Sequence, residues 1–123
     1  MKAAMPDRST TIAELRDVVR QFVSERNWER YHTPKNLSIA LGVEVAELQE
    51  HFQWWDDSEV AEILNKPEKL REVGEEIADV CAYLLSLVNC LDLDLTSILE
   101  AKMAKNRAKY PTDLHRGVYH KPD

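Results

Sequence analysis

At 123 residues the chain has room for one domain of ordinary size, and at that length about two thirds of the unfolded surface can be buried without metal or disulfide staples. A composition of 44% hydrophobic and 31% charged residues excludes a disordered or membrane-like chain. Twenty-two acidic against 16 basic residues give a net charge of −6, a surface that repels a phosphate backbone and argues against a nucleic-acid polymer as partner.

The opening MKAAMPDRSTT lacks the apolar stretch of a secretory signal. The longest uncharged apolar run, Val80 to Leu91, falls short of the roughly 20 residues a spanning helix needs. A cytoplasmic protein with no membrane partner is expected. Prolines at 6, 34, 67, 111 and 122 punctuate the chain without interrupting its periodic segments. Thr11 and Glu14 form a capping box, and the spacing of Ile12, Leu15, Val18, Val19, Phe22 and Val23 predicts a first helix to about Ser24–Asn27. After a loop with Trp28, Tyr31 and His32, the cap-and-first-turn pair Thr33–Pro34 opens a second helix to about Trp54. A short third helix is predicted over Asp56–Asn65, started by Asp57 or Ser58. Pro67 opens the fourth and longest, to about Leu91; Asp94 or Thr96 caps a fifth that Pro111 ends. With no alternating strand pattern, the reading is an all-α fold of four-helix-bundle type in a single domain, 1–123, with 1–10 and 112–123 as flexible tails. Cys81 and Cys90, about 13 Å apart along one helix, cannot bridge and read as buried small apolar residues.

The carboxylates are the anomaly. Helix two has its apolar stripe on Leu37, Leu41, Leu48 and Phe52, and at about 100° per residue Glu44 falls beside its centre, with Glu47 leaning from the same edge. On helix four, taking Ile77 as the core direction, Glu76 and Asp79 gather with Glu72 and Tyr83 to one side. From Val80 to Leu91 nearly every side is apolar, so that half must be enclosed by its own chain or by another subunit. Four facing carboxylates repel unless cations sit between them. All-oxygen donors select magnesium, with manganese as a substitute, and magnesium binds jointly to carboxylates and substrate phosphates. The competing reading is rim glutamates paired with Lys or Arg.

On helix five Lys102, Lys105, Asn106 and Lys109 recur on one face with Arg107 to the side, suited to phosphates or simply to the helix C-terminal dipole. Trp28 and Trp54 lie in irregular or helix-terminal places where an aromatic face can stack a base, with core or interface packing as the alternative, favoured for Trp55. His32 and His51 read as hydrogen-bonded structural histidines or substrate contacts.

The order VEVAELQEHFQWW, EEIADVCAYLL, KMAKNRAKYP resembles the MazG-type all-α nucleoside triphosphate pyrophosphohydrolases, and SERNWERYHTPKNLSIAL resembles their compact dCTP pyrophosphatase branch. The resemblance implies magnesium-dependent cleavage of a nucleoside triphosphate, dCTP or a modified dCTP, to monophosphate and pyrophosphate. It implies Glu44, Glu47, Glu76 and Asp79 as metal ligands; Glu47 and Glu44 are the expected catalytic residues, with Glu47, further from the apolar centre and nearer solvent, expected to deprotonate or orient water. It further implies Lys102, Lys105, Asn106, Arg107, Lys109 and Tyr110 at phosphate, and Trp28, His32, Asn36, Trp54 and Tyr83 at base and sugar, in a homodimer or homotetramer. One departure touches base choice: vertebrate dCTP-type relatives carry a histidine where Val19 stands. The alternatives are a non-catalytic oligomeric helical protein that binds nucleotides or a partner, and a dUTP-specific or broad-specificity hydrolase.

Overall fold

Local chemistry sets the helix boundaries in the computed structural model, which describes residues 6–119. The Thr11 side chain accepts from the Glu14 amide while the Glu14 carboxylate accepts from the Thr11 amide, and this capping box opens α1 (Ile12–Glu25). Thr33 accepts from Asn36 N–H, and Pro34 supplies the first turn of α2 (Pro34–Glu50). Asp56 caps α3 (Asp57–Leu64), Pro67 begins α4 (Pro67–Cys90), and Asp94 caps α5 (Leu95–Lys109). A single turn, α6 (Thr112–His115), follows Pro111. Short 3-10 turns occupy Asp7–Ser9 and Glu29–Tyr31, and the described residues contain no strand. Asn27 and Asp92 adopt the left-handed conformation just past α1 and α4, where short polar side chains are tolerated and a helix is brought to a stop.

The fold class is therefore all-α, as the periodicity requires. Two compact units form, one through Asp92 and one from Leu93 onward. In the first, α4 is the hub against which α2, α1 and α3 each pack. Its core is small: Val23, Leu37, Val73, Leu85 and Val88, with Ser86 also buried. Asn89 latches α1 to α4. Its Oδ1 accepts from Arg16 Nε at 2.8 Å and from an Arg20 guanidinium N–H at 2.9 Å, and its Nδ2 donates to the Arg16 carbonyl at 3.2 Å. In the second unit Tyr110 and His115 pack edge to face at 5.3 Å, and the Asp94 carboxylate accepts from the Ser97 amide and hydroxyl.

Four expectations need correction. The helix expected to run to Trp54 ends at Glu50, and hydrogen-bonded turns carry the chain through Phe52 and Trp55. The cap of α3 is Asp56, one residue ahead of the candidates Asp57 and Ser58. Cys81 and Cys90 are free but exposed, because the apolar half of α4 is not wrapped on all sides by its own chain. For the same reason Ile77, Leu70 and Leu84 are exposed, and the chain's own core takes α4 by Val73, Leu85 and Val88. No single described helix is long and apolar enough to cross a membrane.

Candidate metal centre and adjoining cavity

Glu44 and Glu47 sit three residues apart on α2, and Glu76 and Asp79 repeat that spacing on α4, so each pair shares a helix face. Packing of α2 along α4 brings Glu44, Glu47 and Glu76 together: one carboxylate oxygen from each lies within 4.8 Å of the others. Asp79 is exposed and stands outside that trio, yet its charge acts on Glu44. Burial pushes the Glu44 carboxyl from its ordinary 4.5 up to about 7, and the neighbouring Glu47, the Asp79 charge and Glu76 push it the same way.

Ion pairing does not account for the cluster. The described ion pairs join Arg20 to Asp17, Arg26 to Glu25 and Lys69 to Glu72, none of them to the trio. Glu44 Oε2 and Glu76 Oε2 are shielded from solvent without a hydrogen-bond partner. Two orphaned carboxylate oxygens in a half-buried acidic trio are what a hard divalent cation satisfies, so the donor set fits such an ion.

A cavity of about 340 Å³ lies between α1 and α4, within the range of small-molecule sites. Its walls are Val19, Arg20 and Val23 of α1, Glu29 and His32 of the following turn, and Ser86, Asn89 and Cys90 of α4. Asp79, Tyr83, Ser86 and Cys90 follow the i, i+4, i+7, i+11 rhythm of one helix face. The cavity thus begins about 10 Å beyond Asp79 along the same side of α4. A larger cleft of about 510 Å³ is lined by Phe52, Trp55, Ile63 and Val73 with a mixed-charge rim that includes His51.

Of the residues suggested for base and sugar, His32 lines the α1–α4 cavity. Trp28 packs edge to face on Phe22 at 5.8 Å, and Trp54 is 80% exposed in the turns after α2. Asn36 Nδ2 donates to the Tyr31 carbonyl, tying the start of α2 to the preceding turn, and Tyr83 is half-buried. In the second unit Lys102, Lys105, Arg107 and Lys109 are exposed, while Asn106 and Tyr110 are half-buried. Sequence reasoning missed Arg20, Ser86 and Asn89 as cavity residues. A signal existed: Ser86 and Asn89 are the polar interruptions of the apolar run from Val80 to Leu91.

With that geometry in hand, comparison with known proteins is specific. The model of the MazG-like family matches residues 39–121, a span that contains both acidic pairs. The chain belongs to the MazG-like family. It is 39% identical to dCTP pyrophosphatase 1 of Rattus norvegicus over 107 residues, 87% of this chain and 63% of that protein. To dCTP pyrophosphatase 1 of Mus musculus it is 39% identical over 118 residues, 94% of this chain and 69% of that protein. The chain thus spans about two thirds of the length of these curated relatives. Among solved structures, a pyrophosphatase from Archaeoglobus fulgidus superposes with a TM-score of 0.76 at 41% identity, covering 89% of this chain and 99% of that one. This MazG-like chain therefore shares both helical architecture and sequence with proteins named for pyrophosphatase activity.

Proposed function

We propose that the protein is a magnesium-dependent nucleoside triphosphate pyrophosphohydrolase that cleaves between the α and β phosphates of dCTP or a modified dCTP. One observation carries the reading: an acidic trio with two orphaned oxygens and, about 15 Å beyond Glu76 along the same side of α4, a cavity of ligand size. A nucleoside triphosphate is two-ended in the same way, with a polyanion that needs a cation and a base that needs a partly apolar pocket. The names of the relatives support the reaction class.

Glu44, Glu47 and Glu76, with Asp79 beside them, would hold the cation, and manganese would substitute for magnesium. When bound, the ion supplies charge neutralisation for the phosphorus under attack. Glu47 accepts a proton from, or orients, the attacking water, and ionised Glu44 completes the cation's donor set. Lys102, Lys105, Asn106, Arg107, Lys109 and Tyr110 hold the phosphates and stabilise the pyrophosphate leaving group. Trp28, His32, Asn36, Trp54 and Tyr83 serve the base and sugar, with His32 at the cavity wall.

A second reading keeps the chemistry and broadens the base. Val19 and Val23 give the cavity an apolar side with no hydrogen-bond code, which favours acceptance of uridine or several bases alongside cytosine. Incubation with each canonical and modified deoxynucleoside triphosphate plus magnesium decides between them by pyrophosphate release. EDTA-sensitive release highest with dCTP or a modified dCTP is expected; comparable rates across bases favour the broad hydrolase; no release with any nucleotide leaves a binding protein.

A further inference from the structure

The cavity between α1 and α4 has two unlike sides. Val19 and Val23 make one of them apolar, whereas Arg20, Glu29 and Ser86 bring polar groups that the fold itself does not use up. Ser86 is the clearest case. It is 7% exposed, and among the described residues no hydrogen bond takes up its hydroxyl, although a buried helical serine ordinarily donates back to the preceding turn. A hydroxyl that can donate or accept thus stands unpaired at the wall of a space of ligand size.

Arg20 is held beside it. Its guanidinium donates to Asn89 Oδ1 at 2.9 Å, one turn of α4 beyond Ser86, and pairs with Asp17 on its own helix. Those contacts occupy two of a guanidinium's five N–H groups and leave the others to donate. Asn89 is already engaged: its Oδ1 also accepts from Arg16 and its Nδ2 donates to the Arg16 carbonyl, so it positions Arg20. Glu29 supplies the opposite sign. It stands where α1 gives way to the following turn, at an end of the cavity, and its exposed carboxylate has no described hydrogen bond or ion pair.

We propose that this polar side reads the pairing edge of cytosine, with Arg20 and Ser86 donating to its carbonyl oxygen and ring nitrogen and Glu29 accepting from its exocyclic amine. The inference rests on the reading that the cavity takes the base. Order along the edge decides between pyrimidines. Cytosine presents acceptor, acceptor, donor, with the amine at one end; uracil presents acceptor, donor, acceptor, with its N–H in the middle. A carboxylate can only accept, and from an end position it meets the amine of cytosine but a carbonyl oxygen of uracil. Two facing acceptors repel and leave each other unpaired, which is how a hydrogen-bonding site rejects a near-isostere. Adenine offers an amine beside a ring nitrogen but no carbonyl for the third group.

Two measurements test this together: calorimetric binding of dCMP and dUMP in EDTA, which needs neither metal nor turnover, and pyrophosphate release from dCTP and dUTP with magnesium. The wild type is expected to favour cytosine by at least about tenfold in both. Glu29→Gln, whose amide can turn its N–H groups toward a carbonyl, is expected to bring the ratio to about unity by weakening dCMP and strengthening dUMP. Arg20→Met and Ser86→Ala are each expected to weaken dCMP about tenfold with an unchanged far-ultraviolet circular dichroism spectrum. Asn89→Ala is expected to weaken dCMP when Arg20 is present and to add nothing in the Arg20→Met background, which a merely structural role would not produce. A wild-type ratio near unity, no binding of dCMP, or a Glu29→Gln variant that keeps the wild-type ratio overturns the inference, and pyrophosphate release then leaves the reaction standing. Preferential dCMP binding that Glu29→Gln abolishes, without pyrophosphate release from any nucleotide, supports the inference and overturns the reaction instead.

Discussion

In the proposed site, proton and metal compete at Glu44. Its carboxyl is pushed up to about 7, so between pH 4.5 and 7 the folded chain holds more protons there than the unfolded chain does. Stability from this group is fully present below the ordinary carboxylate value and is lost as pH rises through 7. The melting temperature of the metal-free protein, followed by calorimetry in EDTA, is therefore expected to carry a falling component across that window. Glu44→Gln removes the component. Magnesium needs the ionised form, so affinity measured by calorimetric titration should rise over the same interval in the wild type. Under the proposed function Glu44→Gln and Asp79→Asn are each expected to abolish pyrophosphate release while circular dichroism keeps its helical shape. Near-wild-type rates in both would remove the metal assignment.

Among the elements, α4 shows which signals are local and which are not. Pro67 and the polar stop near Asp92 fix its length from sequence, as the Thr11–Glu14 box, Thr33–Pro34 and Asp94 fix their own helices, because a cap is satisfied within four residues. The acidic pairs were legible for the same reason, each being an i, i+3 spacing beside an apolar stripe. The end of α2 was not: HFQWW is compatible with helix, and the turns that replace it rest on bonds such as Trp55 N–H to the Phe52 carbonyl. Nor could periodicity say which side of α4 meets its own chain, since Leu70 and Ile77 are as apolar as Val73 and Val88. The Asn89 latch depends on residues 69 and 73 positions away in sequence. Asn89→Ala deletes three hydrogen bonds, two of them to guanidinium groups, and is expected to cost about 2 kcal/mol in urea unfolding. Since Asn89 also lines the cavity, the KM for the preferred nucleotide should rise. Leu37→Ala, at a position 2% exposed, is expected to cost about 3 kcal/mol.

At the scale of the molecule, a small core and a repulsive acidic cluster share one pair of helices. Five apolar side chains are buried among the described residues, and α2 and α4 approach with Glu44, Glu47 and Glu76 facing each other across the contact. Their repulsion opposes the packing of the two helices that bear most of that core, so a cation that relieves it stabilises the fold as well as the site. The linkage follows mass action: an ion present at a hundredfold excess over its dissociation constant adds about 2.7 kcal/mol. For a chain of this length that amounts to roughly 10 °C in melting temperature. Magnesium is thus expected to raise the Tm strongly at pH 8 and weakly at pH 5.5, where Glu44 holds its proton. Glu76→Gln, which takes a charge from the trio and a donor from the cation, is expected to melt higher than wild type in EDTA and to gain little from magnesium. The crossing of those two melting curves separates a metal centre from an acidic cluster that is merely tolerated: the latter would show a magnesium response no larger than that of any surface carboxylate pair, and the same in the variant.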